Sequence, residues 1–313
     1  MAPDSFKGTH SASEVAVAVA TGVRSCGLEA MEMPVADGGE GTMAVLGGSV
    51  VSATASGPLG DSVEASFALH EDGHAVVECA AASGLGLVAE EERDAWAAST
   101  YGTGELIAAA VEAGASSVLV AVGGSGTTDG GAGAIEALND AGVSPRMEVL
   151  CDVRTPFEDA PRVFGPQKGA DEATVRRLDE RLDAFAVASP KDPRGVPMSG
   201  AAGGLAGGLW AHFGAKLVPG APYVLDALGF DTAMRASIFV VTGEGRLDRQ
   251  SLQGKVAGEV ATRCRQSGVP CRAVVGSVAL DEFKQRILDL EVVIEASTLE
   301  EIEAAGRKLA SPG

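Results

Sequence analysis

Positive charge is scarce in this chain. Its 313 residues carry 24 Lys and Arg against 43 Asp and Glu, for a net charge of −19 and an isoelectric point near 4.6. Nucleic acids and anionic membrane surfaces are held by basic patches, so neither is an expected partner. A small anionic substrate stays compatible, because a few local Lys or Arg residues and helix N-termini suffice to bind one. Cysteine is sparse and unpatterned. Cys26, Cys79, Cys151, Cys264 and Cys271 make an odd count with no CxxC. Most sit in apolar runs, which points to reduced core thiols in a cytoplasmic protein. No signal peptide is evident, and no apolar run approaches the ~20 residues that span a bilayer. A GxGxxG fingerprint and a Walker A loop are also missing.

What is present is apolar, small and acidic. Hydrophobic residues make up 46% and aromatics 4%, with 42 glycines. That is ample material for packed cores, and it suits close helix–sheet packing with tight βα turns. The length suggests about two domains. Ser11-Ala12-Ser13-Glu14 reads as a capping box opening a helix that stops at Gly27. Residues 31–35 read as a strand. Runs at 50–56, 62–69 and 74–79 are separated by Gly57-Pro58-Leu59-Gly60-Asp61 and Glu71-Asp72-Gly73, a pattern that predicts antiparallel hairpins. From residue 97 a β/α alternation resumes. It gives a helix over 101–113, a buried parallel strand over 117–122, a helix ending near Gly142 and a strand over 147–151 that delivers Asp152. An amphipathic helix follows over 171–187. Residues 189–197, rich in Pro and charge, read as a linker. A helix over 205–213 precedes strands at 238–242, 271–275 and 292–294, which alternate with helices at 256–266, 281–288 and 299–309.

The expected architecture is two α/β domains. One is a doubly wound, mostly parallel Rossmann/flavodoxin-like sheet, drawn as 1–48 with 97–195 and 232–313. The other is a smaller mixed α+β domain inserted into it, drawn as 49–96 with 196–231.

Three Gly-rich acidic stretches follow apolar runs. Ala36-Asp37-Gly38-Gly39-Glu40-Gly41-Thr42 puts two carboxylates among three glycines, at a strand end where open α/β sheets place ligand chemistry. Alone it reads equally as a strand-to-helix turn with an acidic N-cap. Gly123-Gly124-Ser125-Gly126-Thr127-Thr128-Asp129-Gly130-Gly131 joins a strand to a helix. Its amides and hydroxyls can wrap anionic oxygens, and the helix N-terminus adds partial positive charge. The bland alternative is a tight turn with Thr127, Thr128 or Asp129 as N-cap. Gly243-Glu244-Gly245-Arg246-Leu247-Asp248 repeats the design. Arg246 and Lys255 can neutralise a transferring phosphate while the carboxylates hold Mg²⁺. Otherwise it is a charged turn whose Arg and Asp pair. Lys7, among Asp4, Ser5 and Gly8, is a candidate anion ligand, and Lys168 in Pro166-Gln167-Lys168-Gly169 a weaker one. His70-Glu71-Asp72-Gly73-His74 satisfies HExxH formally, but that motif works only on a helix and Asp72-Gly73 marks a hairpin turn. His10 and His212 lack a Cys or His partner at ligand spacing.

These stretches form an ordered set with others. Pro3-Asp4-Ser5-Phe6-Lys7-Gly8, the 36–42 loop, Tyr101-Gly102-Thr103-Gly104-Glu105-Leu106-Ile107, Phe164-Gly165-Pro166-Gln167-Lys168-Gly169-Ala170, Ala201-Ala202-Gly203-Gly204-Leu205 and Thr242-Gly243-Glu244-Gly245-Arg246-Leu247-Asp248 occur in that order. Together they resemble the bacterial glycerate kinase family that lacks a Walker A loop, from residue 2 to near residue 300. The resemblance implies ATP-dependent phosphorylation of D-glycerate, usually on the 2-hydroxyl to give 2-phosphoglycerate. It implies two α/β domains with the active site between them, and Mg²⁺ carried with ATP.

On that footing the ATP phosphates are expected on Gly123, Gly124, Ser125, Gly126, Thr127, Thr128 and Gly130, with Lys255. Asp37 or Asp129 would orient or deprotonate the glycerate hydroxyl while the other helps hold Mg²⁺. Asp248 is the next metal candidate, and it counts with Lys7 among the catalytic residues. Asp4, Ser5, Lys7, Glu40 and Arg246 are expected to bind substrate. A monomer or homodimer is expected. A kinase for another small hydroxy acid and a non-catalytic nucleotide or metabolite sensor are the alternatives. Three departures from the family pattern stand out. Met1 takes the place of a short apolar strand, Gly126 and Thr128 replace an Ala and an Asn, and the stretch between Gly142 and Met147 is short.

Overall fold

Among the described residues ten strands form two sheets. In chain order they are β1 (Ala2–Pro3), β2 (Ser49–Ser56), β3 (Ser62–Leu69), β4 (His74–Glu78), β5 (Ser117–Ala121), β6 (Arg146–Cys151), β7 (Lys216–Pro219), β8 (Val240–Leu247), β9 (Cys271–Val278) and β10 (Val292–Glu295). The computed structural model describes residues 1–6 and 8–310, without the side chains of Gln250, Gln253, Glu282 and Gln285. The chain divides into two units. The first comprises Met1–Asp37, Ala44–Leu46 and Gly220–Gly313, and the second Gly38–Met43 and Gly47–Pro219.

The first unit is built on an all-parallel sheet of order β1-β8-β9-β10. Successive residues of β9 point to opposite faces. Val274 packs with Val15, Val19, Ile302 and Leu309, whereas Ala273 and Val275 pack with Leu247, Leu280 and Leu288. Helices Ala12–Arg24 and Leu299–Ala310 therefore cover one face and helix Glu282–Leu288 the other, the doubly wound arrangement. The expected capping box opens helix Ala12–Arg24: Glu14 N–H donates to Ser11 Oγ at 3.2 Å and Ser11 N–H to Glu14 Oε2 at 2.8 Å.

Two sequence expectations change in this unit. Residues 31–35 run beside β1 without forming a strand. Met33 and Val35 N–H donate to the carbonyls of Met1 and Pro3, but Pro34 has no N–H and β1 is two residues long, so a ladder cannot propagate. Conversely, Gly243 to Leu247 is strand rather than loop. It continues β8 because Glu244, Arg246 and Leu247 stay in register with Val275, Ser277 and Val278 of β9.

The second unit holds a six-stranded sheet of order β2-β3-β4-β5-β6-β7. β2, β3 and β4 are antiparallel hairpin strands, and β4 through β7 are parallel. β4 is the pivot, with β3 antiparallel on one side and β5 parallel on the other. The hairpins and the β/α stretch from residue 97 thus share one sheet, not two domains. The inserted unit is the larger, and 97–195 lies with 49–96 rather than with 1–48. Turn signals report strand direction and say nothing about which sheet a strand joins. The 189–197 segment also lies inside this unit. Ser199 Oγ donates to the carbonyls of Pro193 and Val196, and the chain leaves the unit at Pro219 instead. The core gathers Leu106, Ile107, Val118, Val120, Leu138, Val149 and Leu209. His70 and His74 flank the β3–β4 turn, where His70 N–H donates to His74 O at 2.8 Å, so HExxH has no helix to work on.

Candidate active site

In the first unit, chemistry collects at the C-terminal edge of the sheet. Asp4 leaves β1 with its N–H on Gly243 O at 2.8 Å, and its Oδ1 accepts Ser5 N–H at 2.7 Å. Glu244, Arg246 and Asp248 occupy alternate positions along and just past β8, so they share a face. All five line a pocket of about 360 Å³ with Lys255. A larger cavity of about 610 Å³ lies elsewhere in this unit, but Met31, Met33, Phe230, Met234, Ile238 and Phe239 give it an apolar wall and no cluster of charges.

Glu244 is the unusual member of the polar pocket. It is 7% exposed, and its Oε1 has no hydrogen-bond partner among the described residues. Burial pushes its carboxyl up to about 7, against the pull of the Ser251 hydroxyl and the Lys255 charge; the Asp248 and Asp37 charges push the same way as burial. A buried carboxyl titrating near neutrality can take or give a proton at working pH. Asp37, also buried, ends the 31–37 stretch of this unit. Lys7 lies outside the described residues.

In the second unit the 38–42 part of the first Gly-rich loop and the 123–131 loop meet at the ends of β4 and β5. Gly123 N–H donates to Gly38 O at 3.0 Å. A Cβ on Gly123 would stand 2.6 Å from Gly39 Cα, so only glycine allows that approach, and Gly124 sits at a φ of +79° that favours glycine. Glu40 itself is exposed. Glu78 accepts Met43 N–H at 2.7 Å, and burial raises its carboxyl.

The 123–131 loop differs from its expected form. Four donors engage the Asp129 carboxylate. Thr100 N–H, Thr100 Oγ1–H and Gly133 N–H donate to Oδ2, and Gly131 N–H donates to Oδ1. Thr100 Oγ1 in turn accepts Ala134 N–H at 3.0 Å. Helix Ala132–Asp140 therefore has its first-turn donors met internally, and its positive end faces a carboxylate rather than an incoming anion. Gly126 and Gly130 N–H are likewise engaged, by Ser83 O and Gly203 O.

Two cations that carried little or no weight in the sequence brace this loop. Lys168, 2% exposed, donates from Nζ to Ser125 Oγ at 3.0 Å and to Thr127 O at 2.5 Å. Burial lowers its ammonium to about 8. Arg181 donates to Thr128 O at 2.6 Å and stacks on Trp96 at 4.6 Å.

The family model of the glycerate kinase family matches residues 1–145 and 140–309. The chain belongs to the glycerate kinase family. The two matched parts meet at the short connection between helix Ala132–Asp140 and β6. The chain is 40% identical to the glycerate 2-kinase of Escherichia coli K12, over 90% of this chain and 85% of the relative. Against the glycerate kinase of Bacillus subtilis 168 it is 38% identical over the same shares. A crystal structure from Salmonella typhimurium LT2, assigned as glycerate kinase 2, superposes with a TM-score of 0.83 at 33% identity, covering 99% of this chain and 96% of that one. Membership in the family makes the protein an enzyme of the kinase class. No helix among the described residues is long and apolar enough to cross a membrane.

The family motifs divide between the units. Asp4, Arg246 and Asp248 serve the pocket of the first. Lys168 and the Ala201-Ala202-Gly203-Gly204 turn brace the loop of the second, where a Cβ on Gly203 would stand 2.1 Å from Thr127 O. Among the described residues no three His, Cys, Asp or Glu side chains converge as a metal cage. Mg²⁺ needs less than a cage, since one or two carboxylates plus nucleotide phosphates hold it. Asp4 and Asp248, lining one pocket, fit that requirement.

Proposed function

We propose that this protein transfers the γ-phosphoryl group of ATP to D-glycerate, with the 2-hydroxyl as the favoured acceptor. The observation that carries the proposal is the polar pocket of the first unit, where two cations and three carboxylates line about 360 Å³. Glycerate offers one carboxylate and two hydroxyls, and phosphoryl transfer needs positioning and charge neutralisation more than covalent help. The relative from Escherichia coli K12 is named glycerate 2-kinase, which supports both the substrate and the position.

Arg246 and Lys255 are assigned to the glycerate carboxylate and the transferring phosphate, with Asp4 and Ser5 on the substrate hydroxyls. Asp248 would hold Mg²⁺, whose chemistry when bound is to neutralise phosphate charge. The acceptor oxygen bonds to the γ-phosphorus as the bond to the ADP oxygen breaks, and the acceptor proton passes to a carboxylate. Asp37 and Glu244 are the candidates for that proton, and a Glu244 carboxyl raised to about 7 suits the role. ATP phosphates are assigned to the 124–128 part of the second unit's loop.

ADP formation with ATP, Mg²⁺ and a panel of D-glycerate, lactate, glycolate and tartrate tests the reading. D-glycerate should be turned over most efficiently, and EDTA should stop turnover. Preference for another hydroxy acid would replace the substrate, and ATP binding without any ADP formation would make the protein a sensor.

A further inference from the structure

With the helix N-terminus closed by Asp129, the loop's capacity for an anion must lie in its other amides. In a planar trans peptide the C=O of one residue and the N–H of the next point in opposite directions. Three carbonyls of the loop are pulled back into the protein. Gly124 O accepts Leu85 N–H at 2.9 Å, Thr127 O accepts Lys168 Nζ at 2.5 Å, and Thr128 O accepts Arg181 at 2.6 Å. The N–H groups of Ser125, Thr128 and Asp129 are thereby turned away from those donors. None of the three has a hydrogen-bond partner among the described residues. A second observation concerns side chains of the same loop. The hydroxyls of Thr127 and Thr128 are fully buried, yet they have no partner among the described residues. Buried polar groups left open in this way are uncommon unless a ligand completes them.

We propose that Lys168 is a positioning residue for a phosphate-binding nest made by the Ser125, Thr128 and Asp129 amides, with Arg181 holding the adjoining peptide. The proposal rests on the kinase reading above and deepens it by naming the donors. Two fixed cations behind the carbonyls orient the amides, the arrangement of backbone anion nests. Lys168 reaches Ser125 and Thr127 from the Pro166–Lys168 turn, beneath the loop. The groups that face its ammonium are Cys79 at the end of β4, Asp129 in the loop and Asp152 after β6, with the Phe164 ring at 5.9 Å. The two loop oxygens accept its hydrogen bonds.

Lys168→Met tests this by isothermal titration with Mg²⁺-ATP and by steady-state kinetics. The expected result is an ATP Kd and KM raised about tenfold or more, with glycerate KM within about threefold, because only the nucleotide meets the nest. Should Lys168→Met fail to fold, the wild type suffices. Its ATP affinity should weaken above about pH 8, as the Lys168 ammonium loses its proton. Lys168→Met with wild-type ATP affinity, or one altered only in melting temperature, overturns the proposal, as does a wild-type ATP affinity flat from pH 7 to 9.5. A wild type that binds ATP yet forms no ADP with glycerate defeats the kinase reading alone and leaves this test standing.

Discussion

Glu244 sits where its charge is costly. A carboxyl raised from 4.5 to about 7 holds its proton more tightly folded than unfolded. Its stabilising contribution is therefore fullest below pH 4.5 and is lost as pH rises through 7, a loss of about 3 kcal/mol. Glu244→Gln removes that dependence, so its melting temperature relative to wild type should climb between pH 4.5 and 7.5. The same variant should lose about 10²- to 10⁴-fold in kcat/KM if Glu244 receives the acceptor proton, whereas Asp37→Asn should then lose less. The reverse ranking would hand the role to Asp37. At this scale the Asp4-Ser5 and Arg246–Asp248 stretches were legible as ligand candidates, because Gly-rich acidic stretches at strand ends are a local signal, whereas Lys255, expected with the 123–131 loop, lines their pocket. Glu244 was visible but undervalued, since its depth depends on β8 running on through Leu247. For Asp129 the sequence left a ligand role and a cap role open, because an acidic residue before a helix looks the same in both; the bonds from Thr100, 29 residues earlier, show the cap.

Among the elements, helices Ala12–Arg24 and Leu299–Ala310 cross at closest approach through Gly22 and Gly306. A Cβ on Gly22 would stand 2.0 Å from Glu303 O, and one on Gly306 2.4 Å from Val19 O. Gly22→Ala gains up to about 1 kcal/mol of helix propensity, yet forcing the backbones apart costs about 1–3 kcal/mol or more. Denaturant unfolding should show net destabilisation, and an unchanged midpoint would mean the helices separate freely. The capping box, the hairpins and the helix at Leu205–Phe213 could be placed from sequence because each depends on residues a few positions apart. Strand β7 and helices Gly220–Ala227 and Phe230–Arg235 were missed. The segment from Gly214 to Arg235 is short-patterned, and its order comes from β6 and from the Arg263 bridges to Asp226 and Asp231.

At the scale of the whole molecule, 43 acidic residues against 24 basic ones make self-repulsion a general burden on the folded state. Raising ionic strength from roughly 0.02 to 0.3 M should raise the melting temperature by screening it, and a fall would point instead to dominant ion pairs. The division into units was the least legible feature. Sheet membership is settled by which strands lie beside β4, and no local pattern around residue 97 announces that β5 pairs there. The family assignment escaped this difficulty because six ordered motifs survive any redrawing of domain boundaries.

Phosphorus NMR of the product formed with ATP, Mg²⁺ and D-glycerate probes phosphoryl transfer at its acceptor atom. The expected products are ADP and a phosphomonoester of the 2-hydroxyl. A phosphomonoester at the 3-position would contradict the assigned regiochemistry, and ATP left intact would contradict the reaction itself.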